Sequence, residues 1–244
     1  MAKLLIVDES PTVCSIFDKL LKNSDNFDYD IVSTYEDAKK LLNRYRYEYG
    51  VVSRTLSDAK HGEVIALLNR HNVAPIVFTQ DLDEDFVESF ESAQIVEYIL
   101  RHRFDNVDYV VDRLKQLYKN KDIKILIVHE SSIYRRYLKN NLALHNFKVM
   151  DVATPQEALS KLELHSDMQL MIVDSELPSH YSMDALGLVE HIRKLGQNQL
   201  NIITIVSETN SYETSRFLNE GANDYLMRQP SRDELYIRIY QNIK

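Results

Sequence analysis

The sequence predicts two α/β domains in tandem, residues 1–120 and 121–244, each a five-stranded parallel sheet with helices on both faces. Three observations lead there. First, the chain repeats itself at a domain-sized interval. Leu4-Leu5-Ile6-Val7-Asp8-Glu9-Ser10 returns as Ile125-Leu126-Ile127-Val128-His129-Glu130-Ser131, and the same offset of 121 positions lays Ser53 on Asp174. A repeat of that length is a duplicated domain and not a solenoid. Second, short unbroken apolar runs alternate with stretches whose apolar residues recur at helical spacing, the pattern of a parallel sheet buried on both faces. Third, the polar joint Tyr118-Lys119-Asn120-Lys121-Asp122 lies between the copies and contains no Gly, Pro or Ser, which suits a helical extension better than a flexible linker.

In the first copy, Lys3–Val7 reads as a strand. Ser10-Pro11 then offers an N-cap and a proline for the first turn of a helix whose inner stripe is Val13, Ile16, Phe17, Leu20 and Leu21. A strand near Tyr29–Ser33, a helix Tyr35–Leu42, a strand Gly50–Ser53 and a helix Glu63–Asn69 follow. Then come a strand Pro75–Thr79, an acidic helix over about Asp83–Ser92, a strand Ile95–Leu100 and a closing helix from Asp105 to Tyr118, with Phe104, Val107, Val110, Val111, Leu114 and Leu117 along its stripe. The acidic run Asp81–Asp85 reads as a solvated helix start that suits the helix dipole. The second copy repeats the order: strand Lys124–Val128, helix Ser132–Leu144, strand Lys148–Val152, helix Pro155–Leu162 and strand Leu170–Asp174. Helix Ala185–Leu195, strand Asn201–Ser207, helix Tyr212–Asn219, strand Asp224–Met227 and helix Arg232–Ile243 complete it.

Composition narrows the function classes. A net charge of −8 argues against a nucleic-acid-binding face, which needs clustered Lys and Arg. No apolar run approaches the roughly 18 residues of a membrane span, and the N-terminus enters a strand without a signal-peptide layout, so a cytoplasmic location is expected. The single cysteine, Cys14, forms no internal disulfide, and no Cys/His cluster has zinc spacing. Only five glycines occur, too few for a phosphate-cradling loop, which speaks against a nucleotide- or other small-molecule-binding enzyme of the same fold class.

In open parallel sheets, ligand chemistry gathers beyond the carboxyl ends of the strands. In the second copy those ends carry His129, Glu130, Asp174, Ser207 and Arg228; in the first they carry Asp8, Glu9, Ser53, Thr79 and Arg101. Glu130 and Asp174 suggest a hard cation, Mg²⁺ before others. A carboxylate beside such a cation is also a nucleophile toward phosphorus. Ser207 offers a hydroxyl to a phosphoryl oxygen, and Arg228 a fixed positive fork. A lone Asp at a strand end most often caps a turn; Asp174 is singled out by Glu130, Ser207 and Pro178 standing in register with it.

These residues resemble the receiver domain of two-component response regulators, and the resemblance covers both copies. It is carried by Val128-His129-Glu130-Ser131, by Ile172-Val173-Asp174-Ser175-Glu176-Leu177-Pro178, by Ile205-Val206-Ser207, and by Gly221-Ala222-Asn223-Asp224-Tyr225-Leu226-Met227-Arg228-Gln229-Pro230, similar to the family's Gly-Ala-x-Asp-Tyr-Leu-x-Lys-Pro. The resemblance implies a flavodoxin-like fold in each copy and a phosphoryl group accepted at Asp174 from a phosphohistidine of a sensor histidine kinase or phosphotransfer protein. It implies Mg²⁺ held by Glu130, Asp174 and the backbone carbonyl of Glu176, with Ser207 as switch hydroxyl and Tyr225 as switch aromatic. His129 stands where the family has an acid, Arg228 where it has Lys, and Glu208 where it has a small residue; the stretch Ser179–Gly187 is long. These departures imply slow, weakly metal-dependent or otherwise altered phosphorylation.

The first copy keeps the acids Asp8 and Glu9, the hydroxyl Thr79, Tyr98 and Arg101, but has Ser53 where the acceptor should be, so it resembles a degenerate receiver suited to docking, dimerisation or relay. The chain stops just after the last receiver helix. Tandem receivers of this kind often precede a diguanylate cyclase, which would imply a homodimer. The rival expectation is a protein-interaction scaffold that is never phosphorylated.

Overall fold

The computed structural model describes residues 1–22, 24–80, 94–101, 106–178, 183–207 and 211–243. The chain divides into two compact units, 1–119 and 120–244. In the first, the strands are β1 (Ala2–Val7), β2 (Phe27–Val32), β3 (Tyr49–Val52), β4 (Pro75–Thr79) and β5 (Glu97–Leu100), and the helices are α1 (Pro11–Leu21), α2 (Tyr35–Arg44), α3 (Glu63–Arg70) and α4 (Asn106–Asn120). In the second, the strands are β6 (Lys124–Val128), β7 (Lys148–Val152), β8 (Leu170–Asp174), β9 (Asn201–Val206) and β10 (Asp224–Met227). Its helices are α5 (Ser132–Leu144), α6 (Pro155–Leu164), α7 (Ala185–Lys194), α8 (Ser211–Asn219) and α9 (Arg232–Asn242).

Both sheets are wholly parallel, in the orders β2-β1-β3-β4-β5 and β7-β6-β8-β9-β10. This is the doubly wound order in which the crevice opens between the first and third strands of each domain. The expected fold class is therefore what the chain adopts. The central strands are apolar on both sides because each side is covered. In the first unit, Leu4 and Ile6 face Val13 and Phe17 of α1 and Val110 and Leu114 of α4, whereas Leu5 and Val7 face Ala38 and Leu42 of α2 and Val64 and Leu68 of α3. In the second, Ile125 and Ile127 face α5 and α9, and Leu126 and Val128 face α6 and α7. Burying each such side chain contributes roughly 1.5–3 kcal/mol, which ties the helices to the sheet.

Local signals place the helix starts. Ser10, Thr34, Ser131, Thr154 and Ser231 each accept from a backbone N–H of the first turn that follows, and Thr154 with Glu157 makes a reciprocal capping box. Element boundaries differ from the sequence reading by a few residues. β2 begins two residues earlier, at Phe27; β5 begins at Glu97 and not Ile95; and β9 stops at Val206, leaving Ser207 beyond the strand. α4 runs through Lys119 and Asn120, so much of the polar joint is helical. Asn120, the first residue of the second unit, is fully buried, and its amide donates to the His145 carbonyl and the Tyr240 hydroxyl of that same unit. The expected helix Asp83–Ser92, the run Asp81–Asp85, Phe104, Glu208 and residues 179–182 lie outside the described residues.

Candidate functional site

β6 and β8 are hydrogen-bonded neighbours, with Val128 beside Val173, so the residues leaving their carboxyl ends meet at the mouth of the second domain's crevice. Asp174, the last residue of β8, is 4 % exposed, and His129, the first after β6, is 8 % exposed. A buried carboxylate needs partners, and Asp174 has three. Its Oδ1 accepts from Arg228 Nη2 at 3.0 Å and from the Glu176 backbone N–H at 3.3 Å, and its Oδ2 lies 3.3 Å from His129 Nε2. Arg228 follows β10 and spans two carboxylates, since its Nη1 also reaches Glu176 Oε2 at 2.7 Å.

The tautomer of His129 follows from its other ring nitrogen. The Ser131 backbone N–H donates to Nδ1 at 3.0 Å, so Nδ1 is an acceptor and the ring proton of the neutral imidazole sits on Nε2, aimed at Asp174. Burial lowers the His129 pKa; Asp174 opposes that, while the cations Arg228 and Arg135 add to it, and the net direction is down. The neutral Nε2–H form is thus the resting one. Tyr134 stacks on the imidazole, centroids 4.5 Å apart and planes at 28°. Arg135 Nη1 donates to the carbonyls of His129 at 2.6 Å and Glu130 at 2.7 Å, while its Nε pairs with Asp151 at 3.0 Å.

The other expected residues stand around this centre. Glu130 is exposed, and its carboxylate makes no ion pair among the described residues. Ser207 is half-buried just past β9. Tyr225 is half-buried on β10 with the Arg238 guanidinium 5.4 Å from its ring centre, and Arg238 is held by Asp224 at 3.1 Å. The fold therefore joins Asp174, His129, Arg228 and Glu176 directly. Among the described residues, Glu130, Ser207 and Tyr225 make no hydrogen bond to Asp174. Sequence reasoning missed Tyr134, Arg135 and Asp151 as supports. The available signal was the Ser131 cap, which sets the first turn of α5 next to the His129 backbone.

The first domain's pocket is wired differently. Asp8, after β1, is 2 % exposed, and Arg101, after β5, donates to both its oxygens. Arg101 is further fixed by an Nε bond to the Phe78 carbonyl at 3.2 Å and by lying 4.6 Å over the Phe78 ring. Burial pushes the Asp8 carboxyl pKa up, Arg101 pulling against it. Ser53 donates its hydroxyl proton to the Thr55 carbonyl at 3.0 Å, and Glu9 accepts from the Ser57 backbone N–H at 2.8 Å. Thr79 is buried at the end of β4, and Tyr98 is half-buried on β5. A groove of about 650 Å³ lined by Arg44, Tyr45, Arg46, Arg70 and His71 lies at the other end of this sheet, before β3 and after α3.

The donors at the second crevice fit a hard cation in kind. Asp174, Glu130 and the Glu176 carbonyl are the oxygen ligands Mg²⁺ takes. The set is lean, because His129 contributes an N–H where a second acid would add charge, and among the described residues no three His, Cys, Asp or Glu side chains gather into a ready-made cage.

Comparison with known proteins places these features in context. Residues 125–240 match the model of the response regulator receiver domain. Chemotaxis protein CheY1 of Helicobacter pylori is 31% identical over 108 residues, covering 43% of this chain and 85% of that protein. Response regulator ArlR of Staphylococcus aureus is 32% identical over 117 residues, 48% of this chain and 50% of that protein. Two solved structures described as two-component system response regulator/GGDEF domain proteins match this chain along both domains. They have TM-scores of 0.85 and 0.84 at 28% identity, covering 99% of this chain and 98% of each of theirs.

Proposed function

The chain belongs to the response regulator receiver family of two-component signalling, and on that premise we propose that its second domain is a phosphoryl switch with Asp174 as acceptor and its first a receiver without acceptor chemistry. One observation carries this reading: Asp174 is a buried carboxylate at the crevice mouth, with Arg228 and His129 donors trained on it. An Asp174 oxygen attacks the phosphorus of a phosphohistidine on a sensor kinase or phosphotransfer protein. The new O–P bond forms as the P–N bond breaks, and the bond's electron pair returns to the donor's imidazole nitrogen, which takes up a proton.

Positioning and charge neutralisation are the main demands of such a transfer. Arg228 supplies a fixed positive charge, His129 a neutral donor, and Ser207 a hydroxyl at the end of the neighbouring strand. Mg²⁺, when bound, would neutralise phosphoryl charge, with Glu130, Asp174 and the Glu176 carbonyl as its protein ligands. Once Arg228 and Ser207 turn to the phosphoryl oxygens, Tyr225 is the aromatic on β10 whose rotamer can follow, and the face formed by β10 and α9 becomes the output surface.

The first domain fits no transfer of its own. The Ser53 hydroxyl is bonded to a carbonyl and has no base to activate it among the described residues, and a hydroxyl without a base is a poor nucleophile. Its role in this reading is docking or relay. The descriptions of the two similar structures pair a response regulator with a GGDEF domain, which supports an input module that controls a GGDEF-type diguanylate cyclase; a homodimer acting in the cytoplasm is part of the same proposal. Among the described residues no helix is long and apolar enough to cross a membrane.

A second reading has a specific observation behind it. Both Asp174 oxygens are already engaged, much as both Asp8 oxygens are in the first domain, which suits a scaffold that is never phosphorylated. Intact mass after incubation with acetyl phosphate and Mg²⁺ separates the two. The switch predicts a gain of one phosphoryl group in the parent and none in Asp174→Asn; no gain in a folded parent supports the scaffold.

A further inference from the structure

The residues around Asp174 invert the usual charge problem of an acyl phosphate. A carboxylate that receives a dianionic group among other acids needs an added cation to hold it. Here the residue that continues β6 into the crevice is His129, which brings a hydrogen-bond donor in place of a negative charge. Its ring cannot turn away freely. Nδ1 is held by the Ser131 N–H, one face is stacked on Tyr134, and the His129 carbonyl is held by Arg135. On the other side, Arg228 reaches the same carboxylate from β10. Two donors on separate strand ends therefore sit 3.0 and 3.3 Å from the two oxygens of Asp174, and the acid two residues on, Glu176, is paired with Arg228.

We propose that the His129–Arg228 clamp takes over much of the charge-neutralising role of a divalent cation, so that Asp174 holds a phosphoryl-shaped anion with little dependence on Mg²⁺. The proposal rests on the reading of Asp174 as acceptor. It assigns His129 as a positioning and specificity residue: donating to Asp174 at rest, and to the bound anion once one is attached. Arg228 alone does not suffice for this, because an acid at 129 would cancel the single positive charge it brings.

Beryllofluoride is the probe, since a carboxylate oxygen displaces water from beryllium to form an O–Be bond with no redox step and no leaving phosphate donor. Its affinity is read by fluorine NMR in metal-stripped buffer with and without added Mg²⁺. In the parent, omission of Mg²⁺ is expected to weaken binding by about tenfold or less, whereas in His129→Asp it weakens binding by about a hundredfold or more, the acid having restored the repulsion. His129→Asn, which keeps an N–H donor and adds no charge, should behave like the parent; circular dichroism confirms that each variant is folded. A parent as dependent on Mg²⁺ as His129→Asp overturns the clamp and leaves the acceptor reading intact. A parent that fails to bind even with Mg²⁺, or an Asp174→Asn that still binds, overturns the acceptor reading and the clamp with it.

Discussion

Set side by side, the two crevices show one device applied to opposite targets. In each domain an arginine, Arg101 or Arg228, directly follows the last strand, and each domain keeps one buried acid at the crevice. In the first domain the acid after β1 survives as Asp8 while the acceptor position holds Ser53, and Arg101 closes on Asp8. In the second the acceptor survives as Asp174 while the residue after β6 is His129, and Arg228 closes on Asp174. The arginine goes to whichever carboxylate remains. The lesson is about burial as much as charge. Arg101 is 14 % exposed, stacked on Phe78 and locked to its carbonyl, a finished ion pair; Arg228 is 37 % exposed and shared with Glu176, a pair that can open.

The largest effect should come from moving the acceptor. Asp174→Asn is expected to abolish labelling by acetyl phosphate. Ser53→Asp, by giving the first crevice its missing carboxylate within the same fold, is expected to add a second labelled site, read by intact mass. If Ser53→Asp stays unlabelled, the difference between the crevices lies in more than the acceptor residue.

Next in size is the stability of the two ion pairs. Arg101→Ala leaves Asp8 buried and uncompensated and should cost the first domain about 3 kcal/mol. Arg228→Ala leaves Asp174 with its His129 and Glu176 donors and a more open surround, so about 1 kcal/mol is expected there. Denaturant melts of the two variants check the order; equal losses would erase the distinction drawn between a locked and an openable pair.

The smallest effect is electrostatic and sits in the support layer. Lys139 lowers the Asp151 carboxyl pKa from its ordinary 3.8, burial opposes it, and Arg135 lowers it further. An acid with a depressed folded pKa releases its proton more readily when folded, so the unfolded chain binds more protons in that window. The stabilisation is present above pH 3.8 and is lost as the pH falls through the folded value. It should amount to less than about 1 kcal/mol for a pair this open to solvent. Acid unfolding curves of the parent and Asp151→Asn should converge at low pH; parallel curves would show that Asp151 contributes nothing through its charge.

Much of this architecture could be read directly from the residues. Unbroken apolar runs such as Ile125–Val128 and Leu170–Val173 announce buried parallel strands, and Ser10-Pro11 or Thr154-Pro155 announce helix starts, because these signals act over a few neighbouring residues. The repeat then made Ser53 against Asp174 visible as a difference without any structure. What could not be read was which side chains would touch. His129 and Asp174 are 45 positions apart and Arg228 a further 54, so their meeting depends on strand order, and the tautomer of His129 depends on a backbone N–H two residues on. Tyr134 and Arg135 looked like ordinary helix residues until the first turn of α5 was placed against the crevice.

The most direct test of the central claim is site mapping of the phosphoryl group. After treatment with acetyl phosphate and Mg²⁺, borohydride reduces an aspartyl phosphate to homoserine, which peptide mass mapping locates to a residue. Homoserine is expected at position 174, with none at Asp8 and no 5-hydroxynorvaline, the product a glutamyl phosphate would give, at Glu9, Glu130 or Glu176. Reduction at any other position, or none in a folded and treated protein, would contradict it.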